Sequence, residues 1–234
     1  MVGRGKSDRL SEDPSLYSYP QYVADMTALL RHIGAPQVDW VGTSMGGIIG
    51  MMLATKPDSP IRRLVLNDIG PFVSQESIKR IADYVGNKTS FAHLYEAEIY
   101  MREIYAPFGK LSDKDWRHMA KHGTWALPDG NLTLAYDPAI SINFKAVAKD
   151  LDLWSLYEKI ICPVLVLKGE KSDILSNATA EAMTKRGPKA MLVKVAGAGH
   201  APALMGKGQI DLVVAFLKKG CFSRMERASA TASR

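Results

Sequence analysis

With 234 residues, 47% of them hydrophobic and 23% charged, the chain is long enough for one sizeable domain or a domain with an insertion, and its composition excludes disordered and fibrous classes. No apolar run approaches the roughly 18 residues of a membrane span, and the polar, glycine-rich start is unlike a signal peptide, so a cytoplasmic protein is expected. The net charge of +6 comes from scattered Lys and Arg with no aromatic-rich basic stripe, which argues against nucleic acid as a partner.

In chain order, the stretch SYPQYVADMTALLRHIGAP reads as a helix. Ser18 and Gln21 suit a capping box, Val23, Met26, Leu30 and Ile33 repeat at helical spacing, and Gly34 and Pro36 end it. Val38, Trp40 and Val41 then form a short β-favouring run over 38–43, whereas Ile48, Ile49, Met51, Met52 and Leu53 continue as a buried helix. The next apolar run, Leu64 to Leu66 within IRRLVLNDIGP, and VLVLKGE after Pro163 both read as strands buried on both faces. AMLVKVAGAGH, residues 190–200, supplies the last strand, and strands alternating with helical patterns indicate an α/β fold with a mostly parallel sheet flanked by helices.

Nearly a hundred residues separate the second and third of these strands, far more than an ordinary connection, and they carry helical patterns of their own. Ile78, Ile81, Ala82 and Val85 mark one helix, Phe91, Leu94, Met101 and Ile104 another, and Trp116, His118 and Met119 a third. The expected organisation is a core of residues 1–71 and 156–220, an inserted helical cap over 72–155, and a polar tail, 221–234, that lacks the apolar content to pack. Trp116, Trp125, Tyr136 and Trp154 are candidates for an apolar pocket lining.

One short stretch carries chemistry. A strand turning sharply into a helix at Ser44 forces that residue into a strained backbone conformation and leaves its hydroxyl exposed at the strand end, with room beside it only for Gly42 and Gly46. A serine hydroxyl is a weak nucleophile and needs a histidine within hydrogen-bond reach and a carboxylate to orient that histidine. Of five histidines, His200 lies in AGAGHAP, a loop of small residues directly after the last strand. His32 and His93 sit on helical patterns as packing or surface residues. His118 and His122 are four apart but lack the acidic partner of an H-E-x-x-H site, and Cys162 and Cys221 have no metal-ligand spacing, so no metal is expected.

The segment Gly42-Thr43-Ser44-Met45-Gly46, within the longer SMGG run, matches a G-x-S-x-G nucleophile elbow and resembles the α/β-hydrolase family; Gly3-Arg4-Gly5-Lys6-Ser7 is similar to a second turn of that family. The resemblance covers residues 3 to about 218. It implies a helical cap inserted over the strand ends, no cofactor, Ser44 as nucleophile, His200 as base and the Met45 N–H as one oxyanion donor. It also places the acid after the strand ending near Lys168, where Asp173 stands; Asp68, which also follows a strand, is the alternative. A second oxyanion donor usually comes from a His-Gly loop, and no such stretch lies upstream of Ser44. In the family pattern further strands precede the Gly3 turn, so Met1 is expected to be internal and the strand before Ser44 to present an open edge. The implied activity is cleavage of a small apolar carboxylic ester or related carbonyl substrate through an acyl-enzyme. A carbon–carbon bond hydrolase, a cofactor-free haloperoxidase or a non-catalytic binding protein would share the fold, whereas dehalogenases and epoxide hydrolases need an aspartate where Ser44 stands.

Overall fold

In the computed structural model, residues 1–145 and 149–219 are described; the expected tail and Cys221 lie outside the described residues. The chain begins with α1 (Tyr19–Ile33), β1 (Val38–Thr43), α2 (Met45–Ala54), β2 (Ile61–Asn67) and the short β3 (Phe72–Val73). It continues with α3 (Gln75–Val85), α4 (Leu94–Ile104), α5 (Asp113–Gly123), β4 (Thr124–Ala126), β5 (Leu132–Leu134) and α6 (Ser141–Lys145). Then follow β6 (Leu151–Asp152), α7 (Trp154–Tyr157), β7 (Val164–Gly169), α8 (Asn177–Met183), β8 (Met191–Val195) and α9 (Lys207–Lys219). Gly34, at φ +65°, follows α1 as the sequence predicts. Gln21, expected in a capping box, instead donates through Nε2 to Asp25 Oδ1 at 2.8 Å, one turn along the same helix.

These elements divide into two compact units. The larger contains Thr27–Ser74, Pro107–Gly109 and the described residues from Lys149 onward. Its centre is a four-stranded parallel sheet in the order β1-β2-β7-β8, with Val41 opposite Val65, Leu66 opposite Val166 and Leu167 opposite Val193. Successive side chains of a strand point to opposite faces, and β2 uses both. Leu64 and Leu66 approach α2 at Gly50 and Gly47, whereas Val65 joins Leu165, Leu167, Val193 and Val195 against Leu212 and Phe216 of α9. Leu212 and Phe216 are four apart and therefore share one helix face. Burial on both faces accounts for the continuous apolar runs of β2 and β7. β1 forms one edge of this sheet, and Val41 on it is 44% exposed.

The smaller unit contains Met1–Met26, Gln75–Ala106 and the described part of Lys110–Ala148. Phe91, Ala97, Met101, Trp116, Ala120 and Leu134 make its core, where α4 and α5 meet the β4–β5 ribbon. The first 26 residues, assigned to the sheet domain on sequence grounds, belong instead with this unit. The physical reason is backbone pairing. Arg4 bridges Tyr136, the Gly5 N–H donates to the Ala135 carbonyl at 2.8 Å and the Asp137 N–H to the Gly3 carbonyl at 2.9 Å. Tyr17 Oη adds a buried hydrogen bond to Asp137 Oδ2 at 2.7 Å.

Phe216 is fully buried between the sheet and α9. Truncating it removes apolar contact and leaves a cavity, so Phe216→Ala is expected to lower unfolding free energy by about 3–5 kcal/mol in urea titration.

Candidate active site

The junction between β1 and α2 is a single residue. Ser44 adopts φ 51° and ψ −121°, a left-handed conformation that an L-residue holds only where the surroundings impose it. Gly42 makes that turn possible, because a Cβ there would collide with the Gly46 carbonyl and lie 2.5 Å from Gly47 N. Gly46 differs from the sequence expectation: a Cβ at this position meets nothing within 4 Å. The crowded partner is Gly47, whose Cβ would press on Ile69 and Leu66. What Gly42 must avoid is the backbone of residue 46, not a side chain there. Trp40 closes the turn from outside by donating through Nε1 to the Gly46 carbonyl at 3.0 Å.

Three side chains converge at the carboxyl ends of the strands. His200 Nε2 lies 2.9 Å from Ser44 Oγ, and His200 Nδ1 lies 2.8 Å from Asp68 Oδ2. An ionised carboxylate can only accept, so Nδ1 carries the proton and Nε2 presents its lone pair to the serine hydroxyl. The Asp68 side chain is fully buried and that of His200 is 8% exposed. Asp68, the alternative acid of the sequence reading, therefore occupies the position expected of Asp173. Asp173 is exposed, on the loop between β7 and α8. The reason lies in the backbone just past β2. Asp68 has φ +55°, a conformation that aspartate tolerates better than most residues, and its N–H still pairs with the Leu167 carbonyl at 2.7 Å.

The Asp68 carboxylate is held from several sides. Oδ1 accepts the Gly169 N–H at 2.7 Å, and Oδ2 accepts the Ser172 hydroxyl at 2.5 Å as well as His200. Lys168 stands across the strand pair from it, 1% exposed, with Nζ donating to the Gly169 carbonyl at 2.8 Å. Burial holds this ammonium below its usual pKa, and the charge of Asp68 works in the opposite direction.

The histidine loop is fixed by backbone. A Cβ on Gly169 would overlap the Gly199 carbonyl, so β7 ends directly against this loop. The Lys171 N–H donates to the Ala198 carbonyl at 2.8 Å and the Gly197 N–H to Glu170 Oε2 at 2.9 Å. On its other side, Gly199 N–H donates to the Pro107 carbonyl at 2.6 Å and Ala203 N–H to that of Phe108 at 3.3 Å. Sequence reasoning missed Asn67. Fully buried, it donates through Nδ2 to Thr43 Oγ1 at 3.0 Å and to the Pro202 carbonyl at 2.9 Å, joining β1 to the histidine loop. A polar residue closing the apolar run Leu64–Leu66 was the available signal.

Three of the four aromatic candidates for a pocket lining have contacts of their own. Trp116 is buried in the core of the smaller unit, the Arg9 guanidinium covers the Trp125 ring at 4.5 Å and that of Arg186 covers Trp154 at 3.8 Å. The imidazoles of His118 and His122 lie 4.4 Å apart, centroid to centroid, and among the described residues no three His, Cys, Asp or Glu side chains are grouped to hold a metal ion. No helix among the described residues is long and apolar enough to cross a membrane.

Residues 2–210 match the profile described as the alpha/beta hydrolase family. A 3-hydroxybutyrate-oligomer hydrolase of Cupriavidus necator is 38% identical over 228 residues, covering 92% of this chain and 76% of the relative. A 2-(acetamidomethylene)succinate hydrolase of Mesorhizobium japonicum is 25% identical over 199 residues, covering 85% of this chain and 69% of its own. Among solved structures, an alpha/beta hydrolase from Novosphingobium aromaticivorans superposes with a TM-score of 0.83 at 35% identity, over 93% of this chain and 78% of that one.

Exchanging each carboxylate for an amide tests the assignment of the acid. Asp68→Asn presents a donor to His200 and favours the wrong tautomer, so ester turnover is expected to fall by a factor on the order of 10⁴. Asp173→Asn is expected to retain wild-type turnover within about twofold, as measured in parallel steady-state assays.

Proposed function

The chain belongs to the alpha/beta hydrolase family, and from that premise we propose that it is a serine hydrolase that cleaves short aliphatic esters, with oligomers of a hydroxy acid such as 3-hydroxybutyrate as its substrate class. The observation that carries this reading is the continuous hydrogen-bond chain Ser44–His200–Asp68 beside a strained, glycine-supported serine.

The reaction follows from the proton positions. Ser44 Oγ gives its proton to His200 Nε2 as it attacks the ester carbonyl, and the developing oxyanion lies toward the Met45 N–H at the N-terminal end of α2. Asp68 stabilises the imidazolium and keeps its ring oriented. The tetrahedral intermediate collapses by expelling the alcohol, which takes the proton from His200, and leaves an acyl ester on Ser44. Water then gives a proton to His200 as it attacks that ester. Collapse of the second intermediate returns the proton to Ser44 and releases the acid.

The oligomer assignment draws on the Cupriavidus necator relative at 38% identity. In such an oligomer every bond to be cut joins a carboxyl group to a secondary alcohol, so one site serves successive cleavages. Carbon–carbon hydrolysis would use the same three residues, but the relative at 38% identity is named for hydrolysis of an oligomer of 3-hydroxybutyrate.

Two measurements test the proposal in order. A fluorophosphonate is expected to add once to the wild-type chain and not to Ser44→Ala, read by intact mass; a missing adduct overturns the serine-hydrolase reading and favours a binding protein. Linear 3-hydroxybutyrate trimer is then expected to yield monomer and dimer by chromatography, and an enzyme that takes the label yet leaves the trimer intact overturns the substrate class.

A further inference from the structure

We infer that Ser172 is the positioning residue of the site: its hydroxyl holds Asp68 Oδ2 at the point where that oxygen receives His200. The inference rests on the triad reading above.

The argument is one of hydrogen-bond valence. A serine hydroxyl has one proton to give and two lone pairs to offer. Both acceptor positions of Ser172 Oγ are taken, by the N–H groups of Ile174 at 3.2 Å and Leu175 at 3.1 Å. Its own N–H donates to the Gly169 carbonyl at 3.0 Å, which closes the turn and fixes the Cα. The hydroxyl proton is left with a single acceptor, Asp68 Oδ2, at 2.5 Å. Ser172 cannot rotate away from the carboxylate without abandoning two backbone donors.

That constraint matters because Oδ2 also receives His200 Nδ1. The Gly169 N–H fixes Oδ1 alone, so the carboxylate plane could still pivot about that contact; a second fixed donor on Oδ2 removes the pivot. The arrangement also explains what the loop after β7 does when the carboxylate stands on β2. It supplies a hydroxyl to the acid through Ser172, while its own carboxylate, Asp173, is exposed. Lys168 and His200 also face Asp68; Lys168 Nζ donates to the Gly169 carbonyl at 2.8 Å, and His200 Nδ1 shares Oδ2 with the Ser172 hydroxyl.

The test compares Ser172→Ala with Ser172→Thr in the full chain. Ser172→Ala is expected to lower kcat about 10- to 100-fold on a p-nitrophenyl ester, the range for losing one hydrogen bond to a charged group, with KM within about twofold. Ser172→Thr keeps the hydroxyl and is expected to recover most of kcat. Proton NMR supplies a readout that needs no turnover: the downfield His200 Nδ1–H signal is expected to move in Ser172→Ala and to return in Ser172→Thr. Wild-type kcat in Ser172→Ala, equal impairment of both variants, or an unmoved imidazole signal overturns the inference. If the wild-type chain hydrolyses no ester, the hydrolase reading fails on its own, and the NMR comparison decides the role of Ser172.

Discussion

The structure around the site depends on one steric constraint, the close passage of the backbone at residue 42 under the first turn of α2. A side chain at Gly42 would strike the Gly46 carbonyl. The turn at Ser44 would then relax from its left-handed backbone, and the hydroxyl would leave the end of β1. Backbone conformation at Ser44 costs on the order of 1–3 kcal/mol, an amount that the buried helix behind it offsets many times over. Seven of the ten residues of α2 are buried, so the helix cannot withdraw to relieve the turn. Stored strain of this kind persists only where packing over-determines it, and here the packing comes from β1 and β2 on one side of the sheet.

The same economy governs the acid. Asp68 is wholly buried as a carboxylate, and an unpaired buried charge would destabilise the fold by several kcal/mol. Its two oxygens instead receive a backbone N–H, a hydroxyl and an imidazole N–H, three donors from the last residue of β7, the loop after it and the loop after β8. Those two loops are in turn bonded to each other at Ala198 and Gly197. The carboxylate is thus the point at which the ends of β2, β7 and β8 are joined, and Asn67 performs the corresponding task between β1 and the histidine loop.

Much of this was legible in the chain. Burial on both faces leaves uninterrupted apolar runs that locate β2 and β7, while β-favouring residues mark β1 and β8 and helical spacing marks the inserted helices, none of which needs tertiary information to recognise. Ser44 and His200 are equally visible, since each is surrounded by small residues that only a tight turn requires. Asp68 is harder. Two carboxylates follow strands, and their spacing from Ser44 and His200 does not reveal which strand end faces the histidine. That choice is made by a left-handed backbone at residue 68 and by a hydroxyl three residues beyond the end of β7, neither of which has a periodic signature. The placement of residues 1–26 was hidden for a similar reason: it is set by main-chain bonds from Gly3 and Gly5 to the 135–137 segment, and main-chain partners leave no trace in side-chain composition.

The position of Asp68 also bears on how such chains are read. Ser44 and Asp68 stand just past β1 and β2, adjacent strands in unbroken register from Asp39 to Thr43, so a shift of one carries the other with it. The end of β7 contributes a main-chain amide to Asp68 and the β7–α8 loop one hydroxyl. Of the two polar side chains that follow each other in this loop, the hydroxyl at 172 is bonded to Asp68 and the carboxylate at 173 is exposed. An acidic residue at 173 therefore says less about this hydrogen-bond chain than a hydroxyl at 172 beside an aspartate at 68.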